Sequence, residues 1–324
     1  MIVNGTTGDD SGQNMLIGTN SADTVNGFAG NDELYSLGGN DILIGDLGND
    51  VINGGAGIDL VSYAYAAHSV SVGLGVNGSG SASAGANDSD TLHNIENIWG
   101  SSYGDWLFGN GTANVIDGRG GDDWIQGGAG ADHLYGGAGG DTLDYTGSGA
   151  VAVNLATNAV SGGHAQGDVI SGFEHVFGTA FNDTITGNSA GNWLWGGQGN
   201  DTIRGGGGAD RLRGMEGADT VWGGAGADTF YIGMGESGPT AANRDTIKDF
   251  DETEGDKIDL SGFRTGSEDW AFDFIGGDAF TGVRQVRTEI SGGNTYVTAS
   301  VDGGVDLWVK LEGVVTLEAN DFIL

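Results

Sequence analysis

The chain has 324 residues, including 67 Gly and no Cys, and its 45 acidic residues against 11 Lys and Arg give a formal net charge of −34. The absence of Cys excludes a disulfide scaffold, a Cys-based zinc site and a Cys nucleophile. So negative a chain disfavours binding to nucleic acid or to an anionic membrane, since both need a basic surface. A compact fold requires that bound cations neutralise the acidic groups.

The N-terminal part of the chain lacks the features of a signal peptide. Residues 1–118 contain no Lys or Arg, whereas a secretory signal begins with basic residues and continues with an apolar run. No window holds the ~20 apolar residues of a transmembrane helix. The sequence therefore predicts a cytosolic protein or one exported by a route that does not read the N-terminus.

A nine-residue repeat occurs in three parts of the chain. An acidic or amide residue marks each unit, and an apolar residue comes two positions later, as Val25 follows Asp23 and Val61 follows Asp59. Residues 54–62, GGAGIDLVS, show the unit in full, with Gly at positions 1, 2 and 4 and Asp at position 6. The marked positions form three arrays: Asp23, Asp32, Asp41, Asp50 and Asp59; Asp105, Asn114, Asp123, Asp132 and Asp141; Asp183, Asn192, Asp201, Asp210, Asp219 and Asp228. A flexible linker rich in Gly and Asp has no reason to keep the apolar position.

This pattern resembles the nonapeptide of the RTX (repeats-in-toxin) family, a calcium-binding parallel β-helix repeat. The residue types suit Ca²⁺, because glycines allow tight turns with positive φ and converging carbonyls, and the Asp adds a carboxylate. Positions 7 to 9 predict a short strand with position 8 pointing inward. Two units then make a coil of 18 residues, so that marked residues 18 apart share an ion. We expect about ten calcium ions, with binding and folding as one process.

Two longer inserts, residues 62–99 and 144–177, separate the arrays and are copies of each other. Residues 90–101 match residues 168–179 at an offset of 78, which also carries Asp105 onto Asp183. Alternating apolar residues in both inserts predict strands that continue the solenoid without calcium loops. Glu96 and Glu174 are either ligands at the edge of an array or solvated, capping carboxylates.

The repeat ends after the third array. Residues 229–232, 244–250 and 255–261 resemble the C-terminal module of serralysin-type secreted metalloproteases. Residues 263–324 predict β-hairpins, with turns at 292–294 and 302–304, that cover the open end of the solenoid. The last residues, Asp321, Phe322, Ile323 and Leu324, resemble the uncleaved signal of type I secretion substrates. That resemblance implies the type I secretion machinery as a partner; the alternative is a last buried strand, and both can hold.

Catalytic signals are weak. The His-Glu-x-x-His zinc motif of serralysins is absent, and no two of the five His stand at i and i+4. Residues 187–191, GNSAG, match the nucleophile elbow of hydrolases, but they are also positions 1 to 5 of a repeat. The sequence therefore favours a protein that is not an enzyme.

Aromatic residues recur at outward positions of the repeats. Trp106 and Trp124 are 18 residues apart at position 7, and Trp195, Arg213 and Tyr231 follow the same spacing at position 9. Stacked on one face, they would form a flat strip able to hold a polysaccharide or a second copy of the chain. The alternative is that the inserts or the cap cover these rings.

Together these observations predict an all-β, right-handed parallel β-roll or β-helix solenoid with an antiparallel C-terminal cap. The expected divisions are a first array at 1–61, insert plus second array at 62–142, insert plus third array at 143–230, and the cap at 231–324. The expected function is that of a secreted, extracellular or cell-surface calcium-binding protein with a binding or adhesion role. A self-assembling surface-layer or fibre protein and a divergent polysaccharide-acting enzyme module remain as alternatives.

Overall fold

A computed structural model of the chain describes residues 1–12, 15–85, 88–233, 235–238, 240, 242–263, 272–301 and 304–324. Two compact units are present. The first comprises Met1–Tyr145 with Gly163–Phe173, and the second comprises Thr146–Gly162 with Glu174–Leu324.

Short strands make up nearly all regular structure in the first half of the chain. They are β1 (Ile2–Asn4), β2 (Leu16–Ile17), β3 (Thr24–Asn26), β4 (Glu33–Tyr35), β5 (Ile42–Ile44), β6 (Val51–Asn53), β7 (Leu60–Ser62), β8 (Ser71–Gly73), β9 (Ser79–Ser83), β10 (Ser89–His93), β11 (Asn97–Trp99), β12 (Trp106–Asn110), β13 (Val115–Gly120), β14 (Trp124–Gly128), β15 (His133–Ala138) and β16 (Thr142–Asp144).

The second half continues in the same style. Its strands are β17 (Ala152–Asn154), β18 (Ala159–Ser161), β19 (Val169–Ser171), β20 (His175–Phe177), β21 (Thr184–Thr186), β22 (Trp193–Gln198), β23 (Thr202–Gly207), β24 (Arg211–Glu216), β25 (Thr220–Ala225), β26 (Thr229–Tyr231), β27 (Asp245–Ile247), β28 (Lys257–Asp259), β29 (Asp273–Phe274), β30 (Gln285–Ser291), β31 (Asn294–Ser300), β32 (Leu307–Leu311) and β33 (Phe322–Ile323). Single-turn 3-10 helices lie at Val76–Gly78, Gly163–Ala165, Ser261–Phe263 and Ala319–Asp321. No described helix has the length and hydropathy needed to cross a membrane.

Two sheets form the first unit. One has the order β1-β3-β5-β7-β11-β13-β15-β19, and the other runs β2-β4-β6-β10-β9-β8-β12-β14-β16. Their strands pair in parallel, except that β9 runs antiparallel to both β8 and β10. Val25 lies beside Leu43, and Ile125 lies beside Leu143. Each of these neighbours is 18 residues away, which confirms the predicted two-repeat coil.

The second unit has the same plan. One of its sheets contains β20-β22-β24-β26-β28-β33, and the other runs β18-β17-β21-β23-β25-β27-β32-β31-β30-β29. Beyond the last repeat, Ile247 of β27 lies beside Val221 and Ile258 of β28 lies beside Phe230. The coils therefore continue past the last nonapeptide. In β33, Phe322 is buried and pairs with Ile258.

In its described residues, the second unit contains two antiparallel parts, the pair β17 and β18 and the group β30, β31 and β32. Ser291 and Asn294 close the hairpin between β30 and β31, and Gly292 and Gly293 both have positive φ. The predicted turn at 292–294 is confirmed. The turn expected at 302–304 falls mainly on residues 302 and 303, which lie outside the described residues.

The core of the repeat arrays consists of the apolar residues at position 8 of each repeat. They point inward from every strand, stack on their neighbours one coil away and are fully buried, as for Leu34, Ile52, Ile116, Ile125 and Ile203. Burying such a side chain stabilises the fold by about 1.5–3 kcal/mol. Because positions 7 and 9 point outward, the core is one side chain deep and the marked residues lie in the turns at its edges.

Candidate metal centres

The glycines of each turn serve two different purposes. In the unit that ends at Asp59, Gly55 and Gly57 at positions 2 and 4 have φ of 88° and 146°. Gly54 at position 1 lacks a positive φ, so the expectation that all three glycines supply one was wrong for this position. A Cβ on Gly54 would instead lie 2.5 Å from Oδ2 of Asp59. Position 1 is therefore Gly because the carboxylate occupies the space of a side chain.

The carboxylates are linked across coils. Oδ1 of Asp41 accepts a hydrogen bond of 2.7 Å from the main-chain N–H of Asp23, one coil earlier. The same bond joins six runs of residues, which we call carboxylate ladders: Asp10, Asp32, Asp50 and Asp90; Asp23, Asp41, Asp59 and Glu96; Asp105, Asp123 and Asp141; Asn114, Asp132 and Asp168; Asp183, Asp201, Asp219 and Asp245; Asn192, Asp210, Asp228 and Asp256.

The other oxygen of an interior ladder residue is buried without a hydrogen-bond partner. This holds for Oδ2 of Asp32, Asp41, Asp50, Asp59, Asp123, Asp132, Asp201, Asp210, Asp219 and Asp228. A buried carboxylate oxygen with no partner is strongly destabilising unless a cation or a donor satisfies it. The interior of each ladder therefore requires a cation or a hydrogen-bond donor that the protein itself does not supply.

Burial also changes the acidity of these groups. Desolvation, reinforced by the charges of Asp105 and Asp141, raises the pKa of Asp123 to about 8. Desolvation raises the pKa of Asp201 to about 8 and that of Asp50 to about 7, again with help from neighbouring carboxylates. Without cations the folded ladders cannot hold all their negative charges near neutral pH.

The available ligands identify the kind of cation. No group of three or more His, Asp or Glu side chains able to hold a metal lies within the described part of the chain. A site must therefore combine one or two carboxylates with main-chain carbonyls, such as that of Gly39, which lies against Gly57 in the next coil. An all-oxygen donor set of this kind fits Ca²⁺ and is unsuited to metals that prefer nitrogen or sulfur ligands.

The first residue of each ladder has its second oxygen satisfied by the protein. The hydroxyl of Thr19 donates to Oδ2 of Asp23 at 2.8 Å. The main-chain N–H groups of Ser101 and Thr179 donate to Oδ2 of Asp105 and of Asp183, at 2.5 and 2.6 Å. Thr6 N–H does the same for Asp10 at 2.6 Å. In Asn114 and Asn192, Oδ1 accepts from the residue four positions earlier and Nδ2 donates to the carbonyls of Glu96 and Glu174.

The last residues of three ladders are satisfied in a similar way. The hydroxyls of Tyr63 and Tyr145 donate to Oδ2 of Asp90 and of Asp168 at 2.7 and 3.0 Å. For Asp256, the donor to Oδ2 is the main-chain N–H of Asp251, at 2.9 Å. In these three ladders the interior residues therefore differ from both ends.

Sequence reasoning missed five ladder members: Asp10, Asp90, Asp168, Asp245 and Asp256. Four of them carry the repeat's own signal, since an apolar residue follows two positions later, as Ile247 follows Asp245. Asp10 stands out of register with the repeat. The first coil simply has 22 residues, so that Val3 pairs with Val25 and Asp10 still reaches Asp32.

Outward aromatic residues form stacks on each unit. Trp106 and Trp124 are parallel, with ring centroids 5.4 Å apart, and Trp106 is 54% exposed. In the second unit, Trp193 stacks on His175 at 5.0 Å and carries the guanidinium of Arg211 at 4.6 Å. The stack expected from Trp195, Arg213 and Tyr231 differs in its partners: Trp195 stacks on Phe177 at 5.3 Å, and Arg213 forms an ion pair with Glu236.

The comparisons with known proteins come from family models and solved structures. A model described as the serralysin C terminus of peptidase M10 matches residues 94–324. The RTX calcium-binding nonapeptide repeat model matches residues 8–43 and 30–61. No curated protein matches the chain.

Similar solved structures include two subunits of a mannuronan C5-epimerase from Azotobacter vinelandii. The AlgE6R3 subunit is 30% identical, with 45% of this chain and 80% of that chain covered, at a TM-score of 0.36. The AlgE6R2 subunit is 30% identical, with 45% and 89% covered, also at 0.36. The extracellular lipase LipA from Serratia marcescens is 17% identical, with 71% and 41% covered, at 0.29.

Proposed function

Because the chain belongs to the serralysin C-terminal family of peptidase M10 and carries RTX calcium-binding repeats, we propose that it is a secreted, non-catalytic protein that calcium folds outside the cell. The observation that supports this is the row of buried carboxylate oxygens without partners in each ladder. Cytosolic calcium is too scarce to fill sites of the ~10⁻⁴–10⁻³ M class found in extracellular modules. The acidic chain therefore stays unfolded until export and becomes compact where calcium is plentiful.

We assign the calcium ligands to the ladder interiors and to the carbonyls of the turns beside them. The interior residues are Asp32, Asp41, Asp50, Asp59, Asp123, Asp132, Asp201, Asp210, Asp219 and Asp228, and we add Asp141, which ends its ladder. Bound Ca²⁺ supplies positive charge to oxygens that have no donor. The opening residues Asp23, Asp105, Asn114, Asp183 and Asn192, which the repeat alone predicts as ligands, act in this proposal as hydrogen-bonded ends. About ten dications would bring the formal charge from −34 to about −14.

The proposal is tested by adding calcium to chelator-stripped protein. Far-UV circular dichroism should change cooperatively from coil to β near ~0.1–1 mM calcium, and titration calorimetry should count about ten ions. A stripped protein that is already folded and does not respond to calcium would overturn the proposal.

For the wider role we propose binding to a polysaccharide through the aromatic stacks. The exposure of Trp106 and its parallel alignment with Trp124 support this, because flat, uncovered rings suit the apolar face of a sugar. Trp106→Ala and Trp193→Ala should each weaken retention in affinity electrophoresis by about tenfold. Tyr103→Ala, which removes an exposed ring from the turn before β12, is the control.

The competing role is self-assembly into a layer or fibre, and it predicts a different result. Light scattering would then rise together with the calcium-induced folding, and the Trp variants would change scattering rather than retention. Flat scattering with polysaccharide retention supports the binding role. Residues 321–324 remain a predicted secretion signal. The type I secretion machinery remains a predicted partner.

A further inference from the structure

Five turns contain backbone strain that the repeat normally avoids. At position 2, where six other turns have Gly with positive φ, larger residues take the same conformation: Phe28 at 74°, Leu37 at 70°, Asp46 at 66°, Arg119 at 75° and Met215 at 73°. A side chain at such a φ is unfavourable, and Gly would fit without penalty. Strain of this kind tends to mark positions where the side chain has a function.

Two of the strained residues, Phe28 and Asp46, line the same cavity of about 340 Å³ in the first unit. Leu47 and Tyr65 form its exposed rim, with 61% and 78% of their surfaces open to solvent. Asp88 and the imidazole of His68 also line it. Asp88 is only 7% exposed, and its Oδ1 has no hydrogen-bond partner. The cavity therefore combines apolar and aromatic walls with two carboxylates.

From this combination we propose that the cavity binds a guanidinium group, as carried by an arginine side chain of a partner polypeptide. Asp46 and Asp88 supply the negative charge, residues 1–118 contain no Lys or Arg, and among the lining residues the imidazole of His68 is the one group able to carry a positive charge. Tyr65 and Phe28 supply faces against which a planar, weakly hydrated cation packs. The apolar lining is poorly suited to Ca²⁺, which requires six to eight oxygens.

The test uses the full chain saturated with calcium and titrated with N-acetyl-arginine methylamide. The citrulline analogue has nearly the same shape but no charge. We expect the arginine compound to bind at least about tenfold more tightly than the citrulline compound, as measured by calorimetry. Equal binding of the two compounds, or loss of binding as calcium is raised from half-saturation to excess, would overturn the proposal.

Variants locate the site. Asp46→Asn and Tyr65→Ala should each weaken binding of the arginine compound about tenfold, while Asp278→Asn, which removes an exposed charge elsewhere, should not. Phe28→Gly relieves the strain, so it should leave the calcium-induced fold intact or more stable and still weaken binding. Circular dichroism of each variant in calcium separates this outcome from a failure of calcium-driven folding. Unchanged affinity in both Asp46→Asn and Phe28→Gly contradicts the assignment.

Discussion

At the scale of single residues, a carboxylate at position 6 is not always in the same chemical situation. Asp123 and Asp105 stand one coil apart in the same ladder, yet only Asp105 has its second oxygen satisfied, by Ser101. The period of nine identified both residues. It could not separate them, because the difference lies in the backbone at position 2: the main-chain N–H of Ser101 donates to Oδ2 of Asp105, whereas Arg119, at the same position of the Asp123 unit, has a positive φ of 75°.

This difference predicts distinct effects on calcium binding. Asp123→Asn keeps an acceptor for the N–H of Asp105 but removes the charge, so the variant should bind fewer ions and fold at higher calcium. Ser101→Ala keeps the main-chain N–H that donates to Oδ2 of Asp105 and loses the hydroxyl that donates to Oδ1. It should therefore bind the same number of ions and lose about 1 kcal/mol of stability, the value of a typical hydrogen bond. Calorimetric stoichiometry with thermal unfolding measures both; fewer ions bound by Ser101→Ala would contradict the assignment of ladder ends.

The first glycine of a turn gives a second residue-scale prediction. In Gly118→Ala, the new methyl group would meet Oδ2 of Asp123 and lie 2.6 Å from the carbonyl of Gly136. We expect a loss of about 1–3 kcal/mol in calcium, because the turn must shift away from its ladder. Gly111→Ala is the control, since nothing lies within 4 Å of its Cβ. Equal melting temperatures for the two variants would argue against a carboxylate packed into the side-chain space of position 1.

At the scale of the strand, each element is too short to be stable alone and depends on its neighbours one coil away. The period-of-nine pattern predicted the strands, their inward position 8 and the 18-residue coil. It did not predict β9, which inserts antiparallel between β8 and β10. Its residues, Ser79–Ser83, are small and polar and give no clear alternation. Pairing with two neighbouring strands, rather than local pattern, holds β9 in place.

The thin core should make strand substitutions costly. Ile125→Ala removes a fully buried side chain that pairs with Leu107 and Leu143 on either side. We expect a loss of about 2–5 kcal/mol and a transition that needs more calcium. Val115→Ala, at an outward and partly exposed position of β13, should change stability by less than about 1 kcal/mol. Chemical denaturation at fixed calcium compares the two.

At the scale of the whole molecule, charge dominates. Composition alone indicated that cations must accompany folding, because −34 is too large for a compact chain of this size. Composition does not show which acidic groups make folding without cations unfavourable. Buried oxygens without a hydrogen-bond partner mark the ladder interiors, whereas other acidic residues, such as Asp9 and Asp278, are exposed to solvent. The cavity beside Asp88 was equally invisible, since it forms from turns and insert residues that are distant in sequence.

Acid should partly replace calcium. The folded pKa of Asp50 is raised to about 7 and those of Asp123 and Asp201 to about 8, above the ordinary value of 3.8. Between pH 3.8 and these raised values, the folded state therefore binds more protons than the unfolded state. The stability of the folded state falls as the pH rises through this range to 7 to 8. Calcium-free protein should gain β structure when the pH is lowered from 8 to 5. Circular dichroism of metal-stripped protein tests this; a fold that loosens on acidification would contradict it.

The hydrogen bond from one coil to the ladder residue of the next also limits which insertions and deletions in the gene preserve the fold. A tandem duplication or deletion of 18 codons adds or removes one whole coil, and every remaining donor still finds an acceptor. A change of nine codons moves all later turns to the opposite edge, and other lengths must be absorbed in a bulge, as the 22-residue first coil and the 40-residue step from Ile52 to Leu92 do. Insertions or deletions of 18 codons therefore preserve the fold, and recombination can change the length of the protein in steps of one coil.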